Sequence, residues 1–320
     1  MSKTQKDQKR RKKPATKKQI SELEVKIEEN IKRLKETENA NLCYPLLGVK
    51  ITCELVDDVY EDLRTNYKDC DGHLDIIVDS GGGDIDAAYN LAMLFRKFGH
   101  QELNFIIPRW AKSAATLLVC SGNKILMTPV AELGPLDPQI TELNPLEGRL
   151  EQFSPLHIES TLDLIRDEFK KGNEKLAEGL LERLQFPLTL GSFKKSLDIA
   201  EQYLINLFET RDIVSSNKGA EAKKIANRLT RGYADHGYCI KIDEVKAMGL
   251  NASELIGEKL DLVWEIHRLN SQKQKIQKKI REEEVMSKIK ELPPELLDKL
   301  PPSLQQSLLG ISNTIPEEKT

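Results

Sequence analysis

Apolar runs and helical patterns alternate through the first part of the chain. Continuous apolar runs predict four strands, at residues 46–52, 74–80, 103–108 and 124–127. Apolar positions at helical spacing predict helices between them, at residues 56–67, 84–99 and within 109–123. Because strands and helices that alternate in this way form βαβ units, the pattern predicts an α/β fold with a mostly parallel sheet.

Helical segments extend this core at both ends. Apolar positions spaced among Glu and Lys predict an amphipathic helix over residues 19–40, which either packs on its own domain or pairs with a second copy. Residues 155–231 are mainly helical in pattern, and residues 252–290 predict a long charged helix. Doubled prolines beyond it predict a flexible tail over residues 291–320.

The charge of the chain is nearly balanced overall but uneven locally. With 48 basic and 51 acidic residues, the formal charge of −3 gives no general attraction to nucleic acid. Residues 1–18, however, carry nine Lys or Arg and a single acid, Asp7. Such a run is typical of a solvated, disordered tail, which we favour here over a site for RNA or an anionic surface.

Cysteine spacing and hydropathy exclude several classes of protein. The five cysteines have no CxxC spacing, so the sequence indicates neither a zinc site nor a disulfide framework, and an odd count fits a reducing compartment. No stretch approaches the length of a membrane span, and the basic start leads into no signal-like apolar segment. We therefore expect a soluble cytoplasmic protein with no integral membrane segment, no metal and no other cofactor.

Three consecutive glycines, Gly81 to Gly83, follow the predicted strand at residues 74–80. A glycine turn between a strand and a helix offers backbone N–H groups to either a phosphate or the oxyanion of a tetrahedral intermediate. A phosphate site is disfavoured because the sequence has no phosphate-binding glycine motif, and Asp84 and Asp86 would repel a phosphate. An oxyanion hole needs a nucleophile close to the turn.

Ser113 is the candidate nucleophile. It follows the next predicted strand, at residues 103–108, and the carboxyl ends of neighbouring parallel strands lie at one edge of a sheet. Ser113 could therefore face Gly82, with the N–H of Ala114 as a second oxyanion donor. The residues alone equally allow an ordinary helix N-cap at Ser113 and an ordinary tight turn at the glycines.

A resemblance to a known family rests on four motifs: "VDSGGGDIDAAYNLAMLFRKFG" (78–99), "IIPRWAKSAATLLVCSGNKILM" (106–127), "AELGPLDPQI" (131–140) and "YADHGYCIKIDEVKAMGLN" (233–251). Together they look like the serine dehydrogenase proteinase family, which belongs with the Clp-protease and signal-peptide-peptidase serine peptidases of the Clp/crotonase fold. The resemblance implies a Clp/crotonase-like serine peptidase domain over residues 44–251. It also implies Ser113 as nucleophile, backbone donors at Gly82 and Ala114, a peptide or protein substrate and a homo-oligomer.

Two features depart from the Clp pattern. Gly81 stands where Clp proteases have a proline, which leaves the turn less rigid. The loop that should carry the Clp histidine, residues 129–140, contains none, and Asp137 is the one group there suited to pair with a base. The identity of the base is therefore open.

A serine needs a neighbouring base to become a nucleophile at neutral pH. His236, in the fourth motif, is the first candidate because imidazoles titrate near neutrality. The rival is a lysine, as in signal peptide peptidases, at Lys112, Lys170 or Lys171. His157 is a further possibility. The other histidines are expected on surfaces or helix faces, namely His73, His100 and His267.

Three functions are compatible with these residues. The leading one is a serine peptidase that acts through an acyl-enzyme on Ser113. A crotonase-like enzyme would use the same donors to hold an acyl-CoA enolate, although that chemistry needs no serine at this position. A non-catalytic scaffold would assemble partners through the helical extensions, and the missing loop histidine keeps that alternative open.

Overall fold

The computed structural model of the chain describes residues 17–38, 40, 42–67, 72–99, 101–137, 140–144, 149–153, 155–182, 190–210 and 218–290. These residues form two compact units, a main unit over residues 28–268 and a smaller one from residues 17–27 and 269–290. The predicted basic tail, apart from Lys17 and Lys18, and the predicted tail at 291–320 lie outside the described residues.

The described secondary structure follows the predicted alternation. The strands are β1 (Leu42–Leu47), β2 (His73–Asp79), β3 (Glu102–Ile107), β4 (Trp110–Ala111), β5 (Lys124–Met127), β6 (Glu132–Leu133), β7 (Ile140–Asn144), β8 (Arg149–Phe153) and β9 (Ala252–Glu254). The helices are α1 (Lys17–Glu38), α2 (Cys53–Asn66), α3 (Ile85–Phe98), α4 (Ala114–Val119), α5 (Pro155–Lys170), α6 (Glu174–Glu182), α7 (Leu190–Glu209), α8 (Lys218–Arg231), α9 (Ile242–Ala247) and α10 (Gly257–Lys290).

A five-stranded sheet forms the centre of the main unit, in the order β1-β2-β3-β5-β9. Every pairing in it is parallel. The inner strands β2 and β3 are buried along almost their whole length, as their continuous apolar runs require. The connecting helix α3 is capped by Asp84, whose side chain accepts a hydrogen bond from the Ala87 N–H at 2.8 Å. The predicted α/β fold with a parallel sheet of βαβ units is confirmed.

A second, small sheet lies at the carboxyl edge of the first. β4 pairs in parallel with β6. Single β-bridges also join Ser80 to Ala111 of β4 and Ile240 to Leu133 of β6. Ser80 directly follows β2, and Ile240 lies just before Lys241, the N-cap of α9. The small sheet therefore brings the end of β2 and the segment before α9 to the strand that leads into Ser113.

Two predicted element boundaries are wrong, each for a physical reason. The strand predicted at residues 46–52 lies instead at Leu42–Leu47 and contains Pro45, which is tolerated because β1 is an edge strand and pairs on one side. Residues 252–254, predicted as the start of the charged helix, form β9 and pair with β5, so the helix begins only at Gly257. Pairing with a distant strand outweighs local helical preference here.

A hairpin and buried aromatic side chains are further parts of the main unit. The hairpin of β7 and β8 lies in a region where no strand is predicted. Phe95, Phe105 and Phe208 are fully buried in the main core, and each such side chain stabilises the fold by roughly 1.5–3 kcal/mol.

Among the described helices, none combines the length and the apolar character that crossing a bilayer requires.

Candidate active site

The glycine turn after β2 has a backbone that other residues cannot adopt easily. Gly82 and Gly83 have φ of +99° and +154°. A Cβ on Gly83 would overlap the carbonyl oxygen of Ile51, and a Cβ on Gly82 would lie 2.6 Å from the Lys112 carbonyl oxygen. The same Cβ on Gly82 would lie 3.0 Å from the Cβ of Ser113. Gly82 thus permits a close approach to Ser113, whereas Gly83 permits a close approach to Ile51.

Ser113 itself has a strained backbone. Its φ of +51° and ψ of −123° make it the one non-glycine residue with positive φ among the described residues. Its hydroxyl makes no capping hydrogen bond to α4, although it occupies the N-cap position. This is not the geometry of an ordinary N-cap, in which the side chain accepts from the helix. Backbone strain of this kind concentrates at functional sites.

Two backbone N–H groups lie beside Ser113, and they differ in their hydrogen bonds. The Ala114 N–H, at the start of α4, has no acceptor among the residues that the structure describes. The Gly82 N–H instead donates to the Ser80 hydroxyl at 3.1 Å, and that hydroxyl donates to the Val49 carbonyl oxygen at 2.7 Å. To stabilise an oxyanion, the Gly82 N–H has to donate to the oxyanion and Ser80 at the same time, or its hydrogen bond to Ser80 has to break.

His236 and Asp137 come together near this edge of the sheet. His236 Nδ1 lies 4.0 Å from Asp137 Oδ2, beyond hydrogen-bond distance. Asp137 is buried and His236 is one-third exposed, with side-chain exposures of 2% and 34%. Reciprocal backbone hydrogen bonds between Leu133 and Ile240, at 3.0 and 3.1 Å, hold the two segments side by side. Neither side chain hydrogen-bonds Ser113.

Lys112 is the residue before Ser113, but its side chain bonds to other residues. Its Nζ donates to the carbonyl oxygens of Leu133 at 3.2 Å and Tyr238 at 3.1 Å, and it pairs with Glu132 at 3.1 Å. Burial opposes the charge of Glu132, but hydrogen bonds from Cys239, Lys112 and Lys241 outweigh it and lower the pKa of Glu132 to about 2. Through its bond to Tyr238, Lys112 therefore links the segment that contains His236 to the end of β4, next to Ser113.

The other predicted bases lie in different surroundings. Lys170, the last residue of α5, and Lys171, just after it, have side-chain exposures of 69% and 61% and pair with Asp167 and Glu168 respectively. The hydrogen bond to Glu168 raises the pKa of Lys171, the opposite of what a lysine base needs. The side chain of His157 and the whole of His100 lie outside the described residues. His73, in β2, contacts Asp75 and Asn104 at the other end of the sheet.

One residue of this edge is not found by sequence reasoning. His267 is predicted on a surface or helix face, and it does lie on α10, but its side chain is only 13% exposed. Its Nδ1 donates to Asp79 Oδ2 at 2.6 Å. The two residues are 188 positions apart, so no local spacing links them. A carboxylate at a strand end and Trp264 one turn before His267 are the only sequence signals.

Comparisons with known proteins find a matching family and two similar sequences. The model of a family described as ClpP-like SDH-type serine proteinase matches residues 3–289. Two uncharacterised proteins of Methanocaldococcus jannaschii are 27% identical over 218 residues and 24% identical over 217. Each alignment covers 68% of this chain, which spans 66% and 64% of the lengths of these relatives.

Two solved structures resemble part of this chain. A mutant of the membrane-bound stomatin-specific protease 1510-N is 14% identical with a TM-score of 0.43, and the match covers 68% of this chain and 82% of that one. ClpP1 from Listeria monocytogenes is 12% identical with a TM-score of 0.37, covering 68% and 92%.

Proposed function

Since the chain belongs to the ClpP-like SDH-type serine proteinase family, we propose that it cleaves peptide bonds through an acyl-enzyme on Ser113. One observation carries the proposal. The positive-φ turn at Gly82 packs directly against Ser113, whose own backbone is strained. Strain of about 1–3 kcal/mol persists where it serves a site, and here it keeps the hydroxyl out of the capping role.

The reaction needs four groups at this edge of the sheet. The Ser113 hydroxyl attacks the scissile carbonyl carbon, and its proton passes to His236. The N–H groups of Gly82 and Ala114 stabilise the resulting oxyanion. The intermediate then collapses, the imidazolium of His236 protonates the leaving amine, and a water molecule hydrolyses the ester in the same way.

His236 is the base that the surroundings favour. Asp137 is buried within 4.0 Å of its Nδ1, so a small closing movement would let the carboxylate orient the ring. Catalytic hydrogen bonds are often long before substrate binds. Lys112 is held by three oxygen partners, and Lys170 and Lys171 are exposed and ion-paired. A lysine base instead needs burial that lowers its pKa.

A non-catalytic scaffold is the second candidate, and one specific observation favours it. The Gly82 N–H is engaged by the Ser80 hydroxyl, as expected of a turn that only maintains structure. The two functions differ in a direct test, in which the purified chain is incubated with an unfolded polypeptide and new amino termini are counted. The peptidase releases amino termini and the Ser113→Ala chain does not. Equal release from both chains, or none from the parent, overturns the proposed peptidase.

We also propose that the chain acts as a homo-oligomer. Large apolar side chains on α5 and α6 are about half exposed, namely Leu164 at 54%, Leu176 at 53% and Leu181 at 51%. α5 and α6 contact each other, and large apolar side chains that are exposed on neighbouring helices favour association. Light scattering at micromolar concentration should give a mass of at least twice 36.3 kDa. A monomer at that concentration contradicts this part of the proposal.

A further inference from the structure

His267 links α10 to both chain segments that build the candidate site. The first part of α10, residues 257–268, belongs to the main unit. His267 Nδ1 donates to Asp79, the last residue of β2, at 2.6 Å. The ring also meets Trp110, the first residue of β4, edge-on, with 6.5 Å between centroids, and it stacks on Trp264 at 5.0 Å. One imidazole thus touches the ends of both strands that lead to Gly82 and Ser113.

The carboxylate of Asp79 depends on this contact. Its side chain is 5% exposed, and its Oδ1 is buried without a hydrogen bond from the described residues. The backbone is fixed as well, because the Asp79 carbonyl oxygen accepts from the Gly48 N–H at 2.6 Å. A buried carboxylate that loses its hydrogen-bond donor is strongly destabilised where it stands. Without the imidazole, the end of β2 would have to shift until the carboxylate reached another hydrogen-bond donor or water.

A shift at Asp79 would reach the nucleophile through the next residue. The Ser80 N–H donates to the Trp110 carbonyl oxygen at 3.0 Å, and the Lys112 N–H donates to the Ser80 carbonyl oxygen at 3.0 Å. The Ser80 hydroxyl also accepts from the Gly82 N–H at 3.1 Å. Ser80 is therefore bonded both to the proposed oxyanion donor and to the strand that enters Ser113.

We propose that His267, paired with Asp79, is a positioning residue that holds the glycine turn in register with Ser113. It touches no reacting atom. It acts through Asp79 and Ser80, and the inference rests on the proposed oxyanion role of Gly82. On this account, the first part of α10 serves to place the His267 imidazole at the carboxyl edge of the sheet.

Paired variants separate positioning from general folding. His267→Ala removes the donor, whereas His267→Asn places an amide N–H where the imidazole has Nδ1. Arg268→Ala is the matched control, because Arg268 is the next residue of α10 and its side chain is 55% exposed. Two quantities are measured on the full chain, namely the rate at which an activated p-nitrophenyl ester acylates Ser113 with release of p-nitrophenol, and the hydrogen–deuterium exchange of residues 78–84.

The expected results form a definite pattern. His267→Ala slows acylation about tenfold or more, a barrier increase of about 1.4 kcal/mol, and speeds exchange in the glycine turn. His267→Asn restores both to within about threefold of the parent, and Arg268→Ala changes neither. If His267→Ala does not fold, it is replaced by the double variant Asp79→Asn/His267→Ala, which leaves no buried carboxylate without its donor. This double variant should also show slower acylation and faster exchange than the parent.

Two results overturn the positioning role. In one, the alanine variant acylates and exchanges like the parent. In the other, the asparagine variant is as impaired as the alanine variant. If the parent itself is not acylated, the proposed peptidase fails and the exchange measurement alone decides whether His267 holds the turn.

Discussion

Gly82 lies in direct contact with Ser113, since a Cβ added to Gly82 would be 3.0 Å from the Ser113 Cβ and 2.6 Å from the Lys112 carbonyl oxygen. Gly82→Ala should therefore displace the turn and its N–H. Loss of one oxyanion donor costs about 2.7–4 kcal/mol in the transition state, so turnover should fall about a hundredfold or more.

The neighbouring glycine supplies the control for that change. A Cβ on Gly81 would meet nothing within 4 Å, so Gly81→Ala should keep close to the parent turnover. Steady-state kinetics on both variants, with thermal unfolding to show that each is folded, make the comparison. Equal turnover in the two variants would mean that the contact at Gly82 is structural only.

The strained backbone of Ser113 gives a prediction about stability rather than activity. Glycine adopts positive φ without the steric cost that serine and alanine have there. Ser113→Gly should therefore be more stable than Ser113→Ala by about 1 kcal/mol, although both lack the hydroxyl. Denaturant unfolding of the two variants measures the difference, and a less stable glycine variant would show that the φ of +51° is not strained in the folded protein.

The assignment of the base can be tested by comparing His236 with the exposed lysines. General bases typically contribute about a hundredfold or more, so His236→Ala should slow acylation of Ser113 by at least that factor. Lys170→Ala and Lys171→Ala should react at the parent rate, because both side chains are exposed and ion-paired at the end of α5. The reverse pattern would replace the histidine with a lysine base.

Glu132 should make the stability of the fold depend on pH. Its pKa is lowered from 4.5 to about 2 in the folded protein, so the carboxylate stabilises the fold above about pH 4.5 and loses this effect as the pH falls toward 2. A shift of this size corresponds to roughly 3 kcal/mol. Glu132→Gln should therefore lower the free energy of unfolding at pH 7 by up to that amount, with the deficit shrinking below pH 4.5.

A carboxylate on the surface serves as the control for this pH effect. Glu178 is exposed on α6, so Glu178→Gln should follow the parent at every pH. Urea unfolding at pH 7, 4 and 2.5 compares the three proteins. A deficit in Glu132→Gln that does not change with pH would mean that packing, rather than charge, makes the residue important.

The sequence predicts the central sheet and the meeting of Gly82 with Ser113 because both depend on strand order. Parallel strands separated by helices end at one edge, so residues that follow β2 and β3 must approach each other there. Local patterns carry this information, since the apolar runs of β2 and β3 and the helical spacing of the segment after the glycine turn are read from neighbouring residues.

Long-range contacts escape such reasoning. The pairing of His267 with Asp79 spans 188 positions, and the pairing of β9 with β5 joins two short strands that are far apart in the sequence. The register of β1 depends on its position at the sheet edge, which makes Pro45 acceptable. The engagement of the Gly82 N–H by Ser80 depends on backbone angles that no residue pattern specifies.

The central claim is that Ser113 is the nucleophile, and covalent trapping tests it most directly. The full chain is treated with a fluorophosphonate and digested, and the modified residue is identified by mass spectrometry. The proposed peptidase predicts one adduct, on Ser113, and none in the Ser113→Ala chain. An adduct on another residue, an adduct that persists in Ser113→Ala, or no adduct on the folded parent contradicts the claim.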